Sequence, residues 1–176
     1  MINWEKLNNP NIRILNLGCG HDVREDAVNV DCAEGPGVDV VWDLDHNLKA
    51  WPFEESRFDQ VLAIDILEHL SRPLLFLQNC WHALGHGYEM TIRVPHYTSL
   101  NFAVDPTHAR SYDVRSFDYF DPSTELGMKY GHFYRNNCPW RLIKVEHDYL
   151  SGNITAVMRP IKETEVAGEW QNANNQ

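Results

Sequence analysis

Leu15-Asn16-Leu17-Gly18-Cys19-Gly20 is the stretch whose reading decides the fold. Arg13–Leu17 is a short apolar run that ends in a glycine-containing turn, the pattern of a buried strand. Glycine lets the backbone bend sharply and lets a ligand approach with no Cβ in the way. In open α/β sheets ligands lie beyond the carboxyl ends of the strands, so this turn marks one side of a candidate site. Alone, a Gly-x-Gly is an ordinary tight turn as often as a binding loop.

The residues that follow raise its significance. Ala27–Val30 and Val38–Trp42 are two further β-branched runs, and Phe58–Ile64 is a fourth. Asp31, Asp43 and Asp65 close these three strands, so four successive strand ends carry a glycine turn or an acid. Each aspartate alone is commonly a cap or turn former. At these places a carboxylate at Asp31 can accept both ribose hydroxyls, and one at Asp43 can reach an adenine amino group with Leu44 against the ring.

After Pro73, Leu74, Leu77, Trp81 and Leu84 recur at helical spacing, and proline suits a first helical turn. Gly85 and Gly87 are read as ending that helix, with Tyr88–Val94 as a fifth strand. Arg141–Leu150 and Asn153–Arg159 read as an antiparallel hairpin about Ser151-Gly152-Asn153. The implied architecture is α/β, with a mostly parallel sheet, right-handed crossovers and an antiparallel C-terminal hairpin strand. Too few residues separate Gly20 from the second strand for a crossover helix, so His21–Asp26 is expected to cross as a loop or single turn.

A chain of 176 residues fits one domain. The organisation expected is one domain over 1–162, with 105–135 inserted as a lid and acceptor wall, and a flexible polar tail over 163–176. The net charge of −10, with no Lys/Arg cluster, argues against nucleic acid or an anionic membrane as partner. No apolar run approaches a membrane span, and Met1–Lys6 does not resemble a signal peptide, so a cytoplasmic setting is expected. The four cysteines form no Cys-x-x-Cys pair, which favours reduced thiols over a zinc ribbon or disulfides.

The order of these residues resembles class I S-adenosylmethionine (SAM)-dependent methyltransferases over nearly the whole chain. The matching segments are Leu-Asn-Leu-Gly-Cys-Gly at 15–20, Asn-Val-Asp at 29–31, Trp-Asp-Leu-Asp at 42–45 and Trp-Pro-Phe at 51–53. They continue with Phe-Asp-Gln-Val at 58–61, Asp-Ile-Leu-Glu-His-Leu at 65–70, Ala-Leu-Gly-His-Gly at 83–87 and Val94-Pro95-His96. The resemblance implies a Rossmann-like sheet and SAM as cofactor. It places Asn16, Gly18, Cys19 and Gly20 around the methionine part, Asp31 on the ribose, and Asp43 and Leu44 at the adenine. Ile64 and Asp65 would line the cofactor's other side. The sequence departs from a dinucleotide fingerprint, because Val23 stands where a third glycine would be needed.

The implied activity moves a methyl group to an oxygen or nitrogen atom of a small-molecule acceptor, such as a metabolite or sugar. The alternatives are a non-catalytic SAM-binding subunit and an enzyme that cleaves SAM. Histidine suits removal of an acceptor proton, since its pKa lies near working pH. His69, His96 and His108 are the candidates, each weighed against a structural role. His82 and His86 are four apart but straddle a turn, so no metal is expected. Of the insert's aromatic rings, four or five are expected to pack and two or three to meet substrate. Oligomeric state is left open.

Overall fold

The computed structural model describes residues 1–45, 51–134 and 137–162. Among the described residues seven strands form one sheet: β1 (Ile14–Leu17), β2 (Ala27–Asp31), β3 (Val40–Val41), β4 (Phe58–Ile64), β5 (Leu84–Pro95), β6 (Trp140–Asp148) and β7 (Asn153–Pro160). Their order is β3-β2-β1-β4-β5-β7-β6. The first five pair in parallel, and β7 is antiparallel to both β5 and β6. The expected α/β architecture with an antiparallel C-terminal hairpin is what the chain adopts. The proposed tail at 163–176 lies outside the described residues, as does part of the end of the insert.

Alternation along the strands makes the sheet two-faced. Leu15, Leu17, Val28, Val30, Val61, Ala63, Met90, Ile92, Val94, Ile154, Ala156 and Met158 are all fully buried and belong to the core. Their strand neighbours Leu62, Ile64, Thr91, Arg93, Thr155, Val157 and Arg159 are only half-buried. A cross-strand ion pair between Arg159 and Glu89 at 2.7 Å suits that wetter face.

After the single turn α1 (Trp4–Leu7), the longest helix among the described residues, α2 (Pro73–Ala83), makes the β4–β5 crossover and buries Phe76, Leu77, Cys80 and Ala83. Trp51 and Phe53 of the Trp-Pro-Phe segment join this packing, Trp51 against the buried face of the helix and Phe53 against β4. Trp51 packs edge-on against Phe76, and Phe53 against Phe58. One boundary differs from the sequence reading. The helix stops at Ala83, and β5 begins at Leu84, so Gly85 and Gly87 lie inside the strand. The cause is non-local, because Leu84 already pairs with Phe58 of β4. The third strand is also shorter than the run Val38–Trp42 suggested.

The short β1–β2 crossover is a loop, as expected, and buried amides hold it. Asn16 donates to the Asp22 carbonyl (2.8 Å) and to Asn29 Oδ1 (3.0 Å). Asn29 in turn bonds both the N–H and the carbonyl of Arg24, and Asp39 Oδ2 accepts from its backbone and side-chain nitrogens. These side chains replace the packing that a crossover helix would have supplied.

Between β5 and β6 lie α3 (Leu100–Val104), a 3₁₀ turn (Val114–Phe120), α4 (Glu125–Tyr130) and a second 3₁₀ turn (Gly131–Phe133). Asp121, 2% exposed, fastens this segment to the sheet. Its carboxylate accepts from the Leu142 and Ser123 N–H groups and the Ser123 hydroxyl, and pairs with Arg141 at 3.2 Å. Removing a buried charge's partners, or the charge itself, leaves polar groups unpaired at a cost of about 3 kcal/mol. Asp121→Ala should therefore lower the urea-unfolding free energy by roughly that amount. A change below about 1 kcal/mol would place the anchor elsewhere.

Candidate active site

Strand register brings the predicted residues to one edge. Leu17 is level with Val30 on one side and Ala63 on the other, so Gly18 falls beside Asp31 and Ile64. The turn has left-handed backbone at Gly18 (φ 65°) and Gly20 (φ 49°). A Cβ on Gly18 would sit 2.7–2.8 Å from three carbons of Ile66, whereas one on Gly20 would meet nothing within 4 Å. One glycine therefore permits the β4 tip to close against the turn, and the other leaves open space above it.

Asp31 faces this bend. Its Oδ2 accepts the Gly20 N–H at 2.8 Å and its Oδ1 the Ala33 N–H at 3.0 Å. A carboxylate has about four acceptor positions, so lone pairs remain for a diol. The buried Cys19 thiol is pushed up to about 11, by burial first and then by the charge of Asp31, and it stays protonated at neutral pH.

The other residues expected on the cofactor side divide. Asn16 is buried and commits its amide to the loop beneath the turn, so it shapes the site from below. Leu44 packs in the core cluster. Asp43 is exposed and accepts the Asp45 N–H, while Asp45 takes the Ser71 N–H and hydroxyl and the Arg72 N–H, capping the approach to α2. Asp65 stands at φ 53°, an uncommon backbone for a non-glycine residue, at the tip of β4. Both its carboxylate oxygens accept from the Arg93 guanidinium. That pairing spans β4 and β5, and the sequence reading did not single out Arg93.

The three candidate histidines do not converge. His69 and His108 meet edge-to-face, with ring centroids 4.7 Å apart. Both line a cavity of about 270 Å³ with Asp65, Glu68, Pro95, Asn101, Val104, Asp105 and Asn153, directly beyond the tips of β4 and β5. His96 is outside that lining. It is buried, stacks on His147 at 4.1 Å, and bonds Thr98 through Nδ1 and Asp113 through Nε2 at 3.2 Å. Asp113 is held below its usual range by the Arg115 N–H, and then by His96.

Glu68, part of the Asp-Ile-Leu-Glu-His-Leu segment but not among the expected site residues, is 1% exposed. Burial raises its carboxyl to about 7. A larger cavity of about 600 Å³ lies between the start of α2 and the insert, lined by Leu67, Leu74, Leu77, Tyr112, Phe120 and Arg110 among others. Of the insert's rings, Phe117 and Phe120 are buried, Tyr112 and Tyr119 are half-buried, and Phe133 and Tyr134 are exposed.

No family model and no curated protein matches the chain. Solved structures do. A SAM-dependent methyltransferase from Aquifex aeolicus superposes with TM-score 0.57 at 13% identity, over 89% of this chain and 92% of that one. Another from Archaeoglobus fulgidus gives 0.56 at 17% identity, over 85% and 88%. The [4+2]-cyclase SpnF also gives 0.56, at 11% identity, over 85% and 74%. Glycine turn, strand-end acids, sheet order and these superpositions agree: the chain has the Rossmann-like fold of class I SAM-dependent methyltransferases.

Proposed function

We propose that the protein binds SAM and transfers its methyl group to an oxygen or nitrogen atom of a small-molecule acceptor. The observation that carries this reading is the contact between Asp31 and Gly20, at strand tips where a nucleoside can lie with its ribose on the carboxylate. The open space over Gly20 supports the same placement.

In the reaction, an acceptor lone pair attacks the methyl carbon as the carbon–sulfur bond breaks. That bond's electron pair goes to sulfur, turning sulfonium into thioether, and the acceptor then loses its proton. Alignment supplies much of the acceleration in such a displacement. The cavity beside Asp65 is where the acceptor fits, since it adjoins the β4 tip and is lined by Glu68, His69 and His108. In this reading His69 and His108 meet the acceptor. His96, tied to Asp113, joins the start of the insert to β5 and positions that wall. The insert at 105–135 serves as acceptor wall in this reading, with its exposed rings toward the solvent side. A small acceptor also suits the acidic chain, whose lysines and arginines form no cluster in the sequence.

Calorimetry should detect SAM and its demethylated product, S-adenosylhomocysteine, at micromolar concentrations. Incubation with SAM and a metabolite extract should then yield a compound heavier by one methyl group in mass spectra. Absence of binding at millimolar SAM would reject the proposal. Consumption of SAM without a methylated product would reassign the site to cleavage, and binding without turnover to a non-catalytic SAM subunit. A cyclase of the same fold makes the product analysis necessary.

A further inference from the structure

Glu68 combines near-complete burial with an Oε2 atom that has no hydrogen-bond partner. A buried carboxylate left so is costly unless something cationic completes it. Two imidazoles stand beside it, and their hydrogen bonds fix their protons elsewhere. His108 Nδ1 lies 2.9 Å from the Phe102 carbonyl oxygen, which has no proton to give, so Nδ1 donates and the neutral ring's Nε2 carries a lone pair. That Nε2 lies 4.0 Å from Glu68 Oε1 and 3.9 Å from Asp105 Oδ2, beyond hydrogen-bonding distance.

A similar chain sets His69. The Thr107 hydroxyl donates to Asp105 Oδ1 at 2.6 Å, so its oxygen is left to accept from His69 Nδ1 at 2.9 Å. The Nε2 of His69 is then also without a proton. Each of Glu68, His69 and His108 offers one ligand atom, and the three lie within 4.8 Å of one another. Three electron-pair donors so placed repel one another, and a cation among them reverses the sign.

We propose that Glu68, His69 and His108 form a binding site for a divalent first-row transition ion. Two imidazoles and one carboxylate are the donor set of zinc and iron(II) sites, whereas magnesium and calcium prefer oxygen alone. Metal–ligand bonds of about 2.0–2.2 Å call for ligand atoms roughly 3.3 Å apart, so the groups need close in by an ångström or so. Histidine ligands are usually oriented by a second bond from the other ring nitrogen, and the Phe102 carbonyl and the Asp105–Thr107 pair supply those bonds here. The sequence reading expected no metal because it weighed only the cysteines and the His82/His86 pair; these three residues are assembled from the turn after β4 and the insert. Where methyl transfer is also correct, an acceptor oxygen on the ion's open position would lose its proton more readily. Metal binding itself does not depend on that reading.

The test uses chelator-treated protein without SAM. Cobalt(II) chloride titration, followed by ligand-field absorption, and zinc chloride calorimetry should both show one ion per chain with micromolar or tighter affinity. Glu68→Gln and His108→Gln should each weaken binding at least tenfold, while His82→Ala, near Cys138 but outside the cluster, should leave it unchanged. Zinc should raise the Tm of the wild type but not of Glu68→Gln. Should Glu68→Gln fail to fold, His69→Gln, whose side chain is partly exposed, carries the same comparison. No binding at millimolar metal overturns the proposal, as does binding that survives all three substitutions or that His82→Ala abolishes. A protein that binds the ion but not SAM keeps this site and loses the proposed activity.

Discussion

Gly127→Ala should be strongly destabilising, although alanine normally favours a helix over glycine by about 1 kcal/mol. Gly127 lies in α4, and a Cβ there would fall 1.7 Å from the Asp121 carbonyl oxygen and 2.7 Å from that of Asp118. These are backbone atoms in a turn that cannot yield freely. Thr124 Oγ1 bonds both carbonyls and caps α4 by accepting the Gly127 N–H, while the Asp121 side chain ties the turn to β6. Overpacking a constrained site costs about 1–3 kcal/mol and occasionally more, and here the turn and its anchor must move together. A loss of at least about 3 kcal/mol is expected, a Tm drop of roughly 10 °C for a chain of this size. Thermal unfolding by circular dichroism measures it. An unchanged or higher Tm would mean that α4 does not pack on the 118–121 turn.

Asp31→Ala should weaken SAM and S-adenosylhomocysteine binding alike by about a hundredfold, with folding preserved. Hydrogen bonds to a charged acceptor are worth about 1.5–3 kcal/mol each, and a ribose diol can make two. Both ligands share that ribose, so the loss should be equal for them, and adenosine alone should show it as well. Asp31 also holds the Gly20 and Ala33 N–H groups. Both positions are exposed and water can replace the bond, so the cost to stability should stay near 1 kcal/mol. Asp31→Asn, which keeps one acceptor oxygen, should fall between. Equal affinities for wild type and Asp31→Ala would remove the nucleoside from this edge of the sheet.

Element positions were legible where local pattern is strong. The Phe58–Ile64 run, bounded by polar residues, is β4 to the residue, and Pro73 does open α2. Legibility failed where distant chain sets the outcome. Phe58 extends β5 back through Gly85 and Gly87 to Leu84, and Asn29 closes a loop that would otherwise call for a helix. The short turns of the insert have no apolar period, and their cap residues Ser99, Asp113 and Thr124 are types equally common in loops.

The acids make the same division within the site. Sequence alone determined that carboxylates end successive parallel strands beside a glycine turn, because hydrophobic alternation and glycine's backbone freedom are local properties. It could not assign their work, since a carboxylate's role depends on which N–H groups, guanidinium or imidazoles reach it through space. Folding commits Asp39, Asp45 and Asp121 to loop, helix and strand anchors, and pairs Asp65 with Arg93. It leaves Asp31 facing Gly20, and it joins Glu68 and His69 to His108 from a different part of the chain.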